Sequence, residues 1–259
     1  MPQEWHRRDC LSPLTGAGLR DGSQAWLVLR TALSALGSAL GSRFRSTGTR
    51  HVLAAVLLLA SCNRPQTTQE EVATRLPAVA AGALRPVAAF DAVREPEARS
   101  RALFLEASRV LLHPRCANCH PAGDSPHQGD ALALHEPAVL RGPGDHGLAA
   151  MECTSCHQEK NAPLARVPGA PHWALAPMSM AWVGKTPRYV CEQLKDPTRN
   201  GGKTLPQIVE HSAHDPLVAW GWQPGAGRVP APGDQATFGA LVAAWANTGA
   251  HCPKENATP

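Results

Sequence analysis

Two short stretches carry residues whose types and spacing can do chemistry: Cys116-Ala117-Asn118-Cys119-His120 and Cys153-Thr154-Ser155-Cys156-His157. Both read C-x-x-C-H. Two thiols three residues apart fall on one side of a helical turn and can add across the two vinyl groups of one porphyrin. The His that follows then lies over the ring plane, where its imidazole can bind iron as the proximal ligand. The pattern predicts two covalently bound haems c. Cys116, Cys119, Cys153 and Cys156 are the thioether donors, and His120 and His157 are the iron ligands. A four-cysteine zinc site is the competing reading. It requires no His after each pair, and the 33 residues between the pairs exceed the usual zinc-ribbon spacing.

Each iron can take a sixth ligand. Met178 and Met180 stand in a Pro-delimited loop after the second motif, and a thioether there would raise the potential of its haem. His135 and His146 lie between the motifs, where loop length lets either fold back over a ring. His113, three residues before Cys116, suits a packing role. Cys191 and Cys252 remain, and in an oxidising compartment two spare cysteines of a small domain are expected to pair.

The elements that must position these groups are short. Apolar spacing at Leu103, Phe104, Ala107, Val110 and Leu111 predicts a helix over Glu97 to Leu112, leading directly into the first motif. Further helices are expected over Thr186 to Lys195 and Leu205 to His211, with Asn200-Gly201-Gly202 between them. A last helix starts at the cap Asp234, carries Phe238, Leu241, Val242 and Trp245 as one stripe, and ends at Gly249. No segment alternates well enough to predict a strand. With 24 Pro and 22 Gly in 259 residues, much of the remainder is loop. The expected fold is mainly α and cytochrome c-like, with short helices and long Gly/Pro loops wrapped around two haems.

The first 61 residues differ from the rest. They hold seven Arg and three acids, leaving 18 basic and 18 acidic residues beyond, so the net charge of +4 offers no bulk attraction for nucleic acid. Arg43, Arg45 and Arg50 precede the apolar run from Val52 to Ala60, and Leu59-Ala60-Ser61-Cys62 follows the pattern of a bacterial lipobox. Residues 1–61 therefore read as a secretory leader, of which 1–42 suggest a start placed too far upstream. Cys62 is the expected lipidation site, tying the chain to a membrane surface in the periplasm. Residues 62–97, rich in Ala, Pro, Gln and Thr, read as a flexible linker with a reach on the order of 30 Å. The domain is expected over 98–259.

The domain resembles the di-haem c-type cytochromes labelled as isoquinoline 1-oxidoreductase subunits. The matching stretches are HPRCANCHPAGD (113–124), CTSCHQ (153–158), VPGAPHWALAPMSMAW (167–182), QLKDPTRNGG (193–202), DPLVAWGWQPGAGRVPAPG (215–233) and AWANTGAHCP (244–253). The resemblance implies an electron-accepting partner of a molybdenum hydroxylase that passes electrons toward the respiratory chain, with a downstream cytochrome as a further partner. It also favours Met180 over Met178 and picks out His135 as distal ligands.

Three functions compete. A tethered electron carrier needs two haems, a linker and no substrate pocket, and the sequence is consistent with all of these. This reading makes the chain a non-catalytic subunit of an oxidoreductase system. A di-haem peroxidase-type enzyme needs an open iron position with an acid or base beside it, a role to which only Glu152, Glu159 or a spare His could be assigned. A haem sensor would bring a signalling segment, and none accompanies the domain.

Overall fold

Residues 76–259 are described in a computed structural model of the chain. The leader 1–61, Cys62 and the first part of the linker lie outside the described residues. Among the described residues the fold is mainly helical with little strand, and no helix is long and apolar enough to cross a membrane.

Helix α1 (Pro96–Leu111) begins where the Glu95 side chain accepts from the backbone N–H groups of Glu97 and Ala98. Helix α2 (Pro114–Ala117) follows at once. Pro at the first position of each costs no hydrogen bond, because those N–H groups have no partner inside a helix. Helix α3 (Cys153–Cys156) is a single turn holding the second thiol pair. Then come α4 (Pro187–Lys195), capped by Thr186, and α5 (Leu205–His214), opened by a capping box between Thr204 and Gln207. Helix α6 (Pro216–Ala219) runs into a 3-10 turn over Trp220–Trp222, and α7 (Gln235–Asn247) is capped by Asp234.

The expected helices are all present, within a few residues. The stripe Phe238, Leu241, Val242 and Trp245 of α7 is buried and packs on Leu103, Phe104, Ala107 and Val110 of α1. Phe104 and Trp245 meet with ring centroids 4.9 Å apart. On its other side α7 closes on α5. A Cβ at Gly239 would come within 2.6 Å of the Ala213 methyl, so only glycine permits that approach. The Cys191–Cys252 disulfide ties α4 to the C-terminal segment. Its sequence separation of 61 corresponds to about 4 kcal/mol on the chain-entropy account.

Two expectations differ from what is observed. The core begins upstream of Ala98. Leu84, Phe90 and Val93, assigned to the linker by composition, are buried in the main core. The buried Glu106 of α1 is paired with Arg85 at 2.6 Å and Arg109 at 2.7 Å, and Arg109 also donates to the carbonyls of Ala81 and Ala83. These contacts fix the segment, and three large side chains without a period were too sparse to show it. Strand is also present, as two antiparallel hairpins. β1 (His127–Gln128) pairs with β2 (Ala133–Leu134), and β3 (Gly147–Leu148) with β4 (Met151–Glu152). Two-residue strands are too short for alternation to appear in sequence.

Candidate haem-binding site

Both C-x-x-C-H motifs sit on a short helical turn. In the first, the His113 ring nitrogen accepts from the Arg115 backbone N–H and caps α2. The turn continues through Cys119, whose N–H donates to the Cys116 carbonyl, to His120, whose N–H donates to that of Ala117. In the second, the His157 N–H donates to the Cys153 carbonyl across α3. Cys116, Cys119, Cys153 and Cys156 are free thiols.

Each following His is fixed in the same way. His120 Nδ1 donates to the Met180 carbonyl at 2.8 Å, and the ring lies on the Trp182 indole, centroids 3.4 Å apart and 6° from parallel. His157 Nδ1 donates to the Pro168 carbonyl at 2.8 Å, and its ring lies on Trp173 at 4.4 Å and 5°. Donation from Nδ1 selects the tautomer whose Nε2 lone pair is available to a metal. Burial holds the His120 pKa down to about 3, and a nearby His211 lowers it further against the pull of the Met180 carbonyl. Burial lowers the His157 pKa as well. Both imidazoles are therefore neutral, as ligation requires. Burial also pushes the Cys116 thiol up to about 12 and the Cys119 thiol to about 11, and raises Cys153.

The stacking residues are themselves anchored. Trp182 Nε1 donates to Gln193 Oε1 of α4 at 2.6 Å, and Gln193 Nε2 donates back to the Ser179 carbonyl. Trp173 meets Trp220 edge to face at 5.0 Å, and Trp220 Nε1 donates to Asn161 Oδ1 at 3.0 Å. Asn161 Oδ1 also accepts from the Gly169 N–H, which holds the loop bearing Pro168.

Two cavities open beside these histidines. One of about 250 Å³ is lined by Cys116, Cys119, His120, Met180, His211 and Phe238. Another of about 620 Å³ is lined by Cys153, Cys156, His157, His135, Trp173 and Arg228. Cys119, Arg115 and Trp220 line both, so the cavities share a wall. Among the described residues no group of three or more His, Cys, Asp or Glu is arranged to hold a bare metal ion. Cys116 lines the smaller cavity, Cys153 and Cys156 line the larger, and Cys119 stands on the wall they share.

The proposed sixth ligands divide. His135 stands opposite His157, ring centroids 5.9 Å apart and 67° from parallel, with its own Nδ1 tied to the Pro137 carbonyl at 2.8 Å. Two metal–nitrogen bonds plus the ring radii span about 6 Å, so this spacing accommodates one metal atom. Met180 lines the smaller cavity, but its carbonyl is the acceptor for His120 Nδ1. Met178 is exposed, and His146 lines neither cavity.

Sequence reasoning missed Arg115, Trp173, Trp182 and the pair His211–Asp215. Both tryptophans stand in the stretch 167–182, but nothing in their spacing ties them to a particular His. Arg115 directly precedes Cys116, and that adjacency was the available signal. Its side chain is fully buried. Nη2 reaches Asp130 at 2.5 Å, the guanidinium lies 6.0 Å from the Trp220 ring centre, and Nε and Nη1 have no partner. Burial lowers its pKa, with Asp130 opposing. Comparison of the chain with protein-family models, curated proteins and solved structures finds no match.

Proposed function

We propose that the chain is a di-haem c-type cytochrome that carries electrons outside the cytoplasm. Its proposed donor is a molybdenum hydroxylase of the isoquinoline 1-oxidoreductase kind, and its acceptor a component of the respiratory chain. The observation that carries this reading is the repetition at His120 and His157. Each follows a thiol pair, donates Nδ1–H to a backbone carbonyl, and is pressed flat against an indole. Two ligands prepared identically support one group bound twice.

Haem c supplies reversible one-electron chemistry at each iron when bound. The residues present fit it. Cys116 and Cys119, and Cys153 and Cys156, would hold the two macrocycles covalently. Trp182 and Trp173 fix the plane of each ligating imidazole, and the Met180 and Pro168 carbonyls raise its basicity. Arg115 supplies an independent argument. A buried guanidinium with two unpartnered nitrogens carries a desolvation cost of about 1–3 kcal/mol or more. Carboxylates of a macrocycle in either adjoining cavity would meet those donors.

The pairing of His135 with His157 supports a six-coordinate carrier site at the second haem, so a peroxidase-type enzyme would have to keep the first iron open for substrate. The leader and Cys62 support delivery to the periplasm as a lipoprotein, where haem c is attached. Potentiometry of the matured protein tests the reading. Two one-electron waves, with no reaction of the reduced protein toward peroxide, are expected. Rapid peroxide turnover would favour the enzyme.

A further inference from the structure

The smaller cavity holds a ligand that its sequence motif does not announce. Apart from the thiols and His120, the lining side chains able to offer a metal a thioether, amine or imidazole are Met180, Lys203 and His211. A lysine ammonium presents three donors and no lone pair to a metal, which sets Lys203 aside. Met180 is badly placed. Its carbonyl accepts from His120 Nδ1, so the residue stands behind the imidazole, on the side away from Nε2. A metal bound at Nε2 presents its open position on the far side of the macrocycle, and a side chain rooted behind the ring cannot span that distance.

Helix α5 also lines the cavity, through Ile208, His211 and Ser212 at helical i, i+3, i+4 spacing. Ile208 and Ser212 are buried and hold the helix in place. His211 Nδ1 lies 3.1 Å from Asp215 Oδ2, the residue one turn on that also caps α6 through the Leu217 and Val218 N–H groups. A carboxylate on Nδ1 fixes the tautomer, leaves the Nε2 lone pair free and raises its basicity. It is the preparation seen at His120, His157 and His135, with a carboxylate in place of a carbonyl.

We propose that His211, oriented by Asp215, is the iron ligand opposite His120, so that both haems are bis-histidine and Met180 serves the first only through its carbonyl. Ligation uses the Nε2 lone pair and moves no proton, because Nδ1–H stays on Asp215. The inference rests on the haem reading above. Its consequence is a low-potential pair, since replacing a thioether by imidazole removes the ligand that raises the potential.

The test uses the full matured chain. Covalent haem content is measured first, by haem staining after denaturation, in wild type and in His211→Ala and His211→Met variants. His211 is partly exposed on α5, so its replacement leaves the core intact. Wild type is expected to show two low-spin irons without the far-red thioether-to-iron charge-transfer band. His211→Ala should convert half of the iron to a high-spin form that binds carbon monoxide, with haem content unchanged. His211→Met should introduce the thioether band and raise one of the two midpoint potentials. A thioether band in wild type that survives in His211→Ala, with both irons still low-spin, would overturn the assignment while leaving the haem reading in place. Wild type without covalent haem would overturn both.

Discussion

His120 and Trp182 lie face to face, ring centroids 3.4 Å apart and 6° from parallel, and the indole is locked from behind by its hydrogen bond to the buried Gln193. The ring that would ligate iron is thus positioned by α4, more than sixty residues downstream of the motif that supplies it. Trp182→Phe keeps the stack but leaves Gln193 Oε1 buried without its donor. The expected cost is about 1–3 kcal/mol. Denaturant midpoints of wild type and variant check it, and an unchanged midpoint would show that the indole bond contributes nothing.

Arg115 places a positive charge on the wall between the two cavities. Such a charge favours the reduced state of a nearby redox group. Arg115→Gln should therefore lower at least one midpoint potential, by about 60 mV if the redox equilibrium shifts tenfold. Potentiometric titration reads it directly. Unchanged potentials would show that the guanidinium is neutralised by Asp130 and acts through packing alone.

His135 faces His157 at 5.9 Å. His135→Ala should open the second iron to carbon monoxide while leaving the first unaffected, seen as a half-stoichiometric change in the Soret band. If the variant binds no carbon monoxide, another side chain of the larger cavity is the ligand.

Phe90 is fully buried against the main core although it lies in a stretch whose composition resembles a linker. Phe90→Ala is expected to cost about 3–5 kcal/mol. A chain beginning at Ala98 should lose more, because Leu84, Val93 and the Arg85–Glu106 pair go with it. Thermal denaturation of the two forms separates a core segment from a tether.

What the sequence revealed follows from the range of each signal. The thiol pairs and their histidines are local, so spacing alone placed them. Helices α1, α4, α5 and α7 were visible through caps and apolar stripes, which also act within a few turns. Cys191 and Cys252 were matched because only two cysteines of the domain were left. The groups that finish the site have no local pattern: Trp182 lies over His120 from about sixty residues away, Pro168 backs His157 across an irregular loop, and Arg115 sits between two cavities. No periodicity encodes a contact between positions sixty residues apart. Met180 has a contact of the same long-range kind. Its side chain stands out in sequence as a candidate ligand, whereas the contact of its backbone oxygen with His120 has no sequence signal.

The central claim is that each thiol pair carries one haem. Intact mass of the protein matured in a periplasm competent for haem c attachment, read with a pyridine haemochrome assay, tests it most directly. The expected result is a mass above that of a polypeptide beginning at Cys62 by two haems and the Cys62 lipid, with a haemochrome spectrum of two haems c per chain. A chain of unmodified mass that retains zinc would contradict it.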